Sequence, residues 1–392
     1  MERNILHYFD WAATSPADEA ILKSALEKSL SVYANPSSQH SAGSDARNAL
    51  EEERQKIAHI IGVNEKSLYF TSGGTESDQI VLLSLLSRPQ KGSLVISAVE
   101  HPAIREQAQA LKNCGWNVIS VQSDKNGFIS ADSVLSKVQS DTALVCVMAV
   151  NNETGAIQPI YEIADKLVQS SQGKRKPHFH VDAVQAAGKI ALDIAHQGID
   201  SAAFSAHKIK GPRGTGLLYL KNALTPFLRG GGQEHGIRSG TENLFGAIAF
   251  SECLSRYWIS SKNPAAEARF KAQEEFTADF IKKLRSLPFC SLIPESRGSD
   301  DSLPFSPWVV QASFKNIPGQ VMVRALDAKG FCISTGSACS ASKQSRPILE
   351  AMGVLPELRQ NAVRFSFGFD TEKKAMDELF CAIEEIGNTF NK

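Results

Sequence analysis

Three short stretches hold side chains whose types and spacing could do chemistry, and a fourth holds a thiol among very small residues. "TSGGTESD" (71–78) follows the apolar run "SLYF" and reads as a strand passing into a helix. Glycines there let the backbone approach an anion, and the free N–H groups of a helix start, with a partial charge of about +0.5, favour a phosphate. Thr75 adds a hydroxyl, although a plain strand-to-helix turn explains this stretch equally well on its own. In "HFHVDAVQAAG" (178–188) Asp182 ends an apolar run, where a carboxylate is costly unless it meets a cation or water. Helix capping is the plainer explanation of Asp182, and Gln185 follows a short step later on the same side. In "FSAHKIKGPRGTG" (204–216) Ser205, His207 and Lys208 end the next apolar run. Burial lowers the pKa of such a lysine and suits it to forming a Schiff base. Finally, "CISTGSACSAS" (332–342) surrounds Cys339 with Gly, Ser and Ala, none large enough to pack it into a core.

Asp182 and Lys208 lie 208 − 182 = 26 residues apart, about one strand–connection–strand unit. An anion cradle, a strand-end carboxylate and a strand-end amine are together what pyridoxal phosphate requires. The phosphate needs an anion site, the pyridinium nitrogen a carboxylate, and the aldehyde an amine. In an open α/β sheet ligands sit beyond the carboxyl ends of the strands, where all three stretches fall.

The elements that must position them are legible as a pattern. From about residue 43 to 255, β-rich runs alternate with helical periods. Expected strands cover 67–71, 93–97, 116–121, 142–150, 178–182, 201–206 and 216–220. Several are continuously apolar, as in strands covered on both faces. Helical stretches such as 44–61 and 160–172 lie between them, which predicts an α/β/α layer with a mostly parallel sheet. After about residue 260 come a polar helix (265–287), a loop rich in Pro, Ser and Asp (294–307), and a strand (308–314). A helix around 321–329, a strand at 362–367 and a closing helix at 372–390 follow. The expected division is a large domain over 16–260 and a smaller α+β domain from 1–15 and 261–392, which carries the cysteine segment.

Composition excludes several classes. Lys+Arg and Asp+Glu both number 42 among 392 residues, so net charge advertises neither nucleic acid nor an acidic membrane. The basic "GKRKPH" (173–178) reads as a solvated loop. Seven scattered cysteines without a C-x-x-C pair support neither a zinc ribbon nor a disulfide framework. The N-terminal stretch lacks the basic start and apolar core of a secretory signal, and no apolar run reaches bilayer length. A cytoplasmic protein is expected.

Taken in order, the motifs resemble the cysteine desulfurases of the NifS/IscS type, in the class V aminotransferase family of fold-type I pyridoxal-phosphate enzymes. The resemblance runs from "DWAATSP" (10–16) through "NPSSQH" (35–40), "TSGGTESD", "VEHPA" (99–103), "VNNETG" (150–155) and "HVDAVQ" (180–185). It continues through "SAHKIKGPRGTG", "GGGQEHGIRSGTEN" (230–243) and "STGSACS" (334–340) to "VRFSFG" (363–368). Departures lie mainly between the motifs, notably in the polar loop before Trp308.

The resemblance implies a role for each position. Lys208 would hold the cofactor covalently and take the substrate's α-proton, and Asp182 would keep the pyridinium protonated. His101 would stack on the ring, and Gln185 would hydrogen-bond its phenolic oxygen. Gly74, Thr75, Ser205 and His207 would bind the phosphate, joined by Thr241 of a neighbouring subunit, which implies a homodimer with shared sites. Asn152, Arg364 and Asn35 would hold the substrate. L-cysteine would then yield alanine and a persulfide on Cys339, handed to an iron–sulfur scaffold, a tRNA-thiolation relay, or both. A segment of Gly, Ser and Ala suits a cysteine that must reach both substrate and acceptor. A selenocysteine lyase or another class V enzyme would share every cofactor residue, and Cys339 is the discriminator. An interaction protein that kept the fold without turnover would have no use for Lys208.

Overall fold

The computed structural model describes residues 7–171, 173, 175–300, 302–336 and 346–392, so Cys339 lies outside the described residues. Seven strands build the larger sheet: β1 (Leu68–Thr71), β2 (Ser93–Ser97), β3 (Asn117–Val121), β4 (Thr142–Cys146), β5 (His178–Asp182), β6 (Ser201–Ser205) and β7 (Gly216–Leu220). Their order is β1-β7-β6-β5-β4-β2-β3. Only β7 runs against its neighbours, and the rest are parallel.

Period-two alternation explains the layers. Val95, Val145, Val181 and Phe204 face one way, into helices Ser41–Ile61, Ile160–Ser170 and Leu244–Tyr257. Leu94, Ile96, Leu144 and Leu218 face the other way, into helices Gly74–Leu83 and Pro102–Asn113. Every residue of β2, β4, β6 and β7 is buried, hence their unbroken apolar runs. Edge strand β3 leaves Asn117 and Ser120 exposed.

A second, antiparallel sheet has the order β10-β9-β8, with β8 (Cys290–Ile293), β9 (Val309–Phe314) and β10 (Ala362–Ser366). Helices Pro264–Arg285 and Lys373–Phe390 cover it through Phe280, Leu284, Leu379 and Ile383. Residues 7–15 join the two sheets. Cys332 O receives Phe9 N at 2.8 Å, Phe9 O receives Ser366 N at 2.9 Å, and His207 O receives Ser15 N at 2.8 Å.

Two expectations are corrected. β4 ends at Cys146 rather than at 150: Met148 turns its N–H onto Glu100 Oε1 at 2.8 Å, although Val147 N and Ala149 N still bond to His180 O and Asp182 O of β5. β8 was not expected: it is a four-residue edge strand stopped by Pro294. Among the described residues no helix is long and apolar enough to cross a membrane, and no His/Cys/Asp/Glu group could hold a metal ion.

Candidate active site

The carboxyl ends of β1, β5 and β6 open onto one cleft of about 230 Å³. β7 is threaded between β1 and β6 in the opposite direction, so its first residue, Gly216, stands opposite both Thr71 and Ser205. A Cβ on Gly216 would lie 2.5 Å from the Gly73 Cα, so only glycine lets the 71–74 loop fold over this strand. Gly73 precedes helix Gly74–Leu83 with φ 152°, and a Cβ on Gly74 would meet Val184 Cγ2 at 2.5 Å. The helix start is thereby pressed against the β5 turn, and its first N–H groups have no intrahelical acceptor. Gly74, Thr75, Ser205 and His207 all line this end. The His207 imidazole bonds to Thr14 Oγ1 at 3.0 Å, and burial lowers its pKa to about 3, with Lys208 adding to the effect.

Asp182 forms the floor. Its Oδ1 receives the Val184 N–H at 3.0 Å, yet burial and the nearby Asp78 raise its pKa to about 7. Asp78, on helix Gly74–Leu83, contacts His180 Nε2 at 2.9 Å, and His180 Nδ1 contacts Ser201 Oγ at 2.8 Å. Burial pushes the Asp78 carboxyl well up and the His180 imidazole down to about 4.

The opposite wall is basic. Lys208 ends the turn after β6 and donates to Ala12 O at 2.6 Å and Ala13 O at 2.8 Å, two carbonyls from the chain's other end. Gln185 Nε2 also donates to Ala12 O, at 2.9 Å, while Lys189 Nζ donates to Gln185 Oε1 at 3.0 Å. His101 Nδ1 caps helix Pro102–Asn113 by accepting Ala103 N–H at 3.1 Å, and the residue also lines the cleft. Burial, then Lys208, lowers its pKa to about 4, so it is neutral.

Arg364 reaches in from β10 of the second sheet, fully buried. Its Nη2 pairs with Asp10 Oδ1 at 2.7 Å and its Nη1 donates to Asn152 O at 3.0 Å. Among the described residues neither Arg364 Nε nor the buried Asn152 Oδ1 finds a hydrogen-bond partner. A donor and an acceptor left over in one cleft suit a ligand that carries both polar characters.

The cleft thus gathers Lys208, Asp182, His101, Gln185, Gly74, Thr75, Ser205, His207, Asn152 and Arg364. Thr241 and Asn35 do not line it. Thr241 is exposed in the loop before helix Leu244–Tyr257. Asn35 is exposed too, its Oδ1 receiving Ser37 N–H at 2.9 Å. Sequence reasoning passed over Asp78, Lys189 and the Ala12 and Ala13 carbonyls. Asp78 and Lys189 each stand four residues beyond an assigned residue, Gly74 and Gln185, and that spacing was the available signal.

A family model described as Aminotransferase class-V matches residues 7–379. The sequence is 32% identical over 391 residues to a Dictyoglomus turgidum protein named cysteine desulfurase IscS, covering 98% of this chain and 95% of that one. A solved NifS-like protein superposes with a TM-score of 0.85 at 29% identity, covering 97% of this chain and 99% of its own. SspA, solved in complex with cysteine, gives a TM-score of 0.77 at 28% identity, covering 93% of this chain and 100% of its own.

Proposed function

The chain belongs to the class-V aminotransferase family, and from that premise we propose that it works as a pyridoxal-phosphate-dependent cysteine desulfurase. The observation that carries this reading is the meeting in one cleft of a strand-end amine, a buried carboxylate and a glycine-built helix start. The family is one of pyridoxal-phosphate enzymes, and these residues fit that group. The Cβ-free approach at Gly73–Gly74 and the hydroxyls of Thr75 and Ser205 suit its phosphate. Asp182, fully buried, suits a pyridinium cation, which would bring its pKa back down. Bound there, pyridoxal phosphate supplies an electron sink for charge developing on the substrate's α-carbon.

The chain's own residues do the rest. Lys208 Nζ, aimed by the Ala12 and Ala13 carbonyls, anchors the cofactor and moves the α-proton. His101, neutral and bound to its helix through Nδ1, offers a flat face beside the ring. Arg364 Nε and the Asn152 amide N–H hold the substrate carboxylate, and Asp10 fixes the guanidinium plane. Cys339, outside the described residues, takes the sulfur. The substrate's C–S bond breaks, an S–S bond forms on Cys339, and the carbon skeleton gains a proton as alanine.

In this reading two chains form a cytoplasmic homodimer, and the exposed Thr241 of one completes the phosphate site of the other. The large domain is residues 16–260, and 1–15 with 261–392 make the smaller one. The persulfide goes to a sulfur acceptor, an iron–sulfur scaffold or a tRNA-thiolation relay. The test is to supply L-cysteine and measure alanine together with sulfur bound to Cys339. Cys339→Ala is expected to keep the bound-cofactor absorption and its change on adding L-cysteine, while sulfur transfer is lost. Sulfide release by Cys339→Ala as fast as wild type would sink the mechanism.

A further inference from the structure

Lys189 is a fully buried amine that the chemistry above leaves unused. Apolar side chains fill such positions at lower cost, because an amine must be desolvated and then find an acceptor. The chain after β5 makes a helical turn, with Ala187 N bonded to Ala183 O and Lys189 N to Ala186 O. That turn brings Lys189 back onto Gln185, four residues before it. Gly188 relaxes the turn with φ +68°, and there a Cβ would press on Tyr257 O at 3.1 Å and Ile209 Cγ2 at 3.2 Å. The Lys189 backbone is pinned as well, its carbonyl receiving Trp308 Nε1–H at 2.6 Å. From this fixed base Nζ reaches Gln185 Oε1 at 3.0 Å.

An amide has two ends of nearly equal shape, and what surrounds it decides which is donor. We propose that Lys189 is a positioning residue that holds the Gln185 carbonyl and so keeps the Gln185 amide N–H turned to the cleft as a donor. Its target is the phenolic oxygen of bound pyridoxal phosphate, so the inference rests on the cofactor reading above. The Ala12 carbonyl favours the same orientation, receiving Gln185 Nε2 at 2.9 Å. It also receives Lys208 Nζ at 2.6 Å, so it is a shared acceptor, whereas Lys189 addresses only the oxygen end of the amide. Burial lowers the Lys189 pKa to about 7, with Lys208 and Arg364 adding repulsion, and either protonation state of the amine can donate to Gln185.

The test is a double-mutant cycle on the full-length protein with pyridoxal phosphate as probe. Cofactor dissociation constants and the visible absorption maximum are measured for wild type, Lys189→Met, Gln185→Ala and the double variant. Lys189→Met alone is expected to weaken cofactor binding about three- to tenfold, one hydrogen bond's worth, and to move the absorption maximum. In the Gln185→Ala background the same substitution is expected to change binding less than about twofold, because the residue it acts through is gone. Equal effects in both backgrounds would overturn the inference and leave the cofactor reading standing. A wild type that binds no pyridoxal phosphate would overturn both. Should Lys189→Met not fold, Lys189→Leu runs the same cycle with a smaller apolar side chain.

Discussion

The acidic floor and the basic wall of the cleft meet the same difficulty from opposite sides. Asp182 on the floor and Glu100, which does not line the cleft, are both buried, and desolvation lifts their pKa values to about 7 and about 8. Among the bases in and behind the cleft, Lys189 falls to about 7, and His101 and His207 fall to about 4 and about 3. Acids keep protons and bases give them up, each by the only route to neutrality open to it. The comparison teaches that charge of either sign is expensive here, so a ligand bearing a matched anion and cation at the right ends is strongly selected. Arg364 is the exception: it has a partner of opposite kind, Asp10 Oδ1, 2.7 Å from its guanidinium.

The largest break in this comparison is Lys208→Ala. It removes the reactive amine of the wall and leaves Asp182 and the Gly73–Gly74 cradle intact. Turnover of L-cysteine is expected to drop about a thousandfold or more, the scale of a lost proton-transferring group. Borohydride treatment of wild type is expected to fix the cofactor on the peptide containing Lys208, and labelling elsewhere would refute the assignment.

A smaller effect is expected at the exception. Arg364→Lys keeps the charge but loses the planar fork that meets Asp10 and Asn152 together. KM for L-cysteine is expected to rise roughly 10- to 100-fold, the worth of one charge-assisted hydrogen bond. Cofactor absorption should be unchanged. An unaltered KM would remove Arg364 from substrate binding.

The finest test sharpens the floor itself, in the apoprotein. Asp182 titrates at 3.8 in a model chain and near 7 when folded, so between those values the folded state holds a proton that the unfolded state lacks. Its contribution therefore makes stability fall as pH rises from about 4 to about 7. Asp182→Asn removes that slope, and its thermal midpoint relative to wild type is expected to climb across the same window. His101 works with the opposite sign between about 4 and 6.5 and cancels in the comparison, being present in both proteins. Parallel midpoint curves would show that Asp182 is ionised throughout.

How much of this the sequence disclosed depended on where the signal lies. Asp182 and Lys208 were legible because a charge at the end of an apolar run violates the pattern around it. The strands of the larger sheet were legible because burial on both faces leaves unbroken apolar runs. Ala12 and Ala13 were not, since what they supply to Lys208 is backbone carbonyl, which every residue carries. Lys189 resembled any surface lysine, because Trp308, which pins its backbone carbonyl, lies 119 positions away. Asn35 shows the converse: its motif matched, but the side chain ties its own turn to Ser37. Residues four apart on a helix, such as Gly74 and Asp78, were within reach of a stricter reading of spacing.

The strap of residues 7–15 also sets an order of events in time. It is synthesised long before its partners Cys332 and Ser366. Arg364, which pairs with Asp10 of the strap, can join the cleft only after 354 further positions have been made. Non-local pairing of this kind is slow, because the loop must close before any contact rewards it. The larger sheet can assemble while synthesis continues, and catalytic competence arrives as a late docking step. Ribosome-bound chains that stop before β10 would carry every phosphate-cradle residue and still lack Arg364.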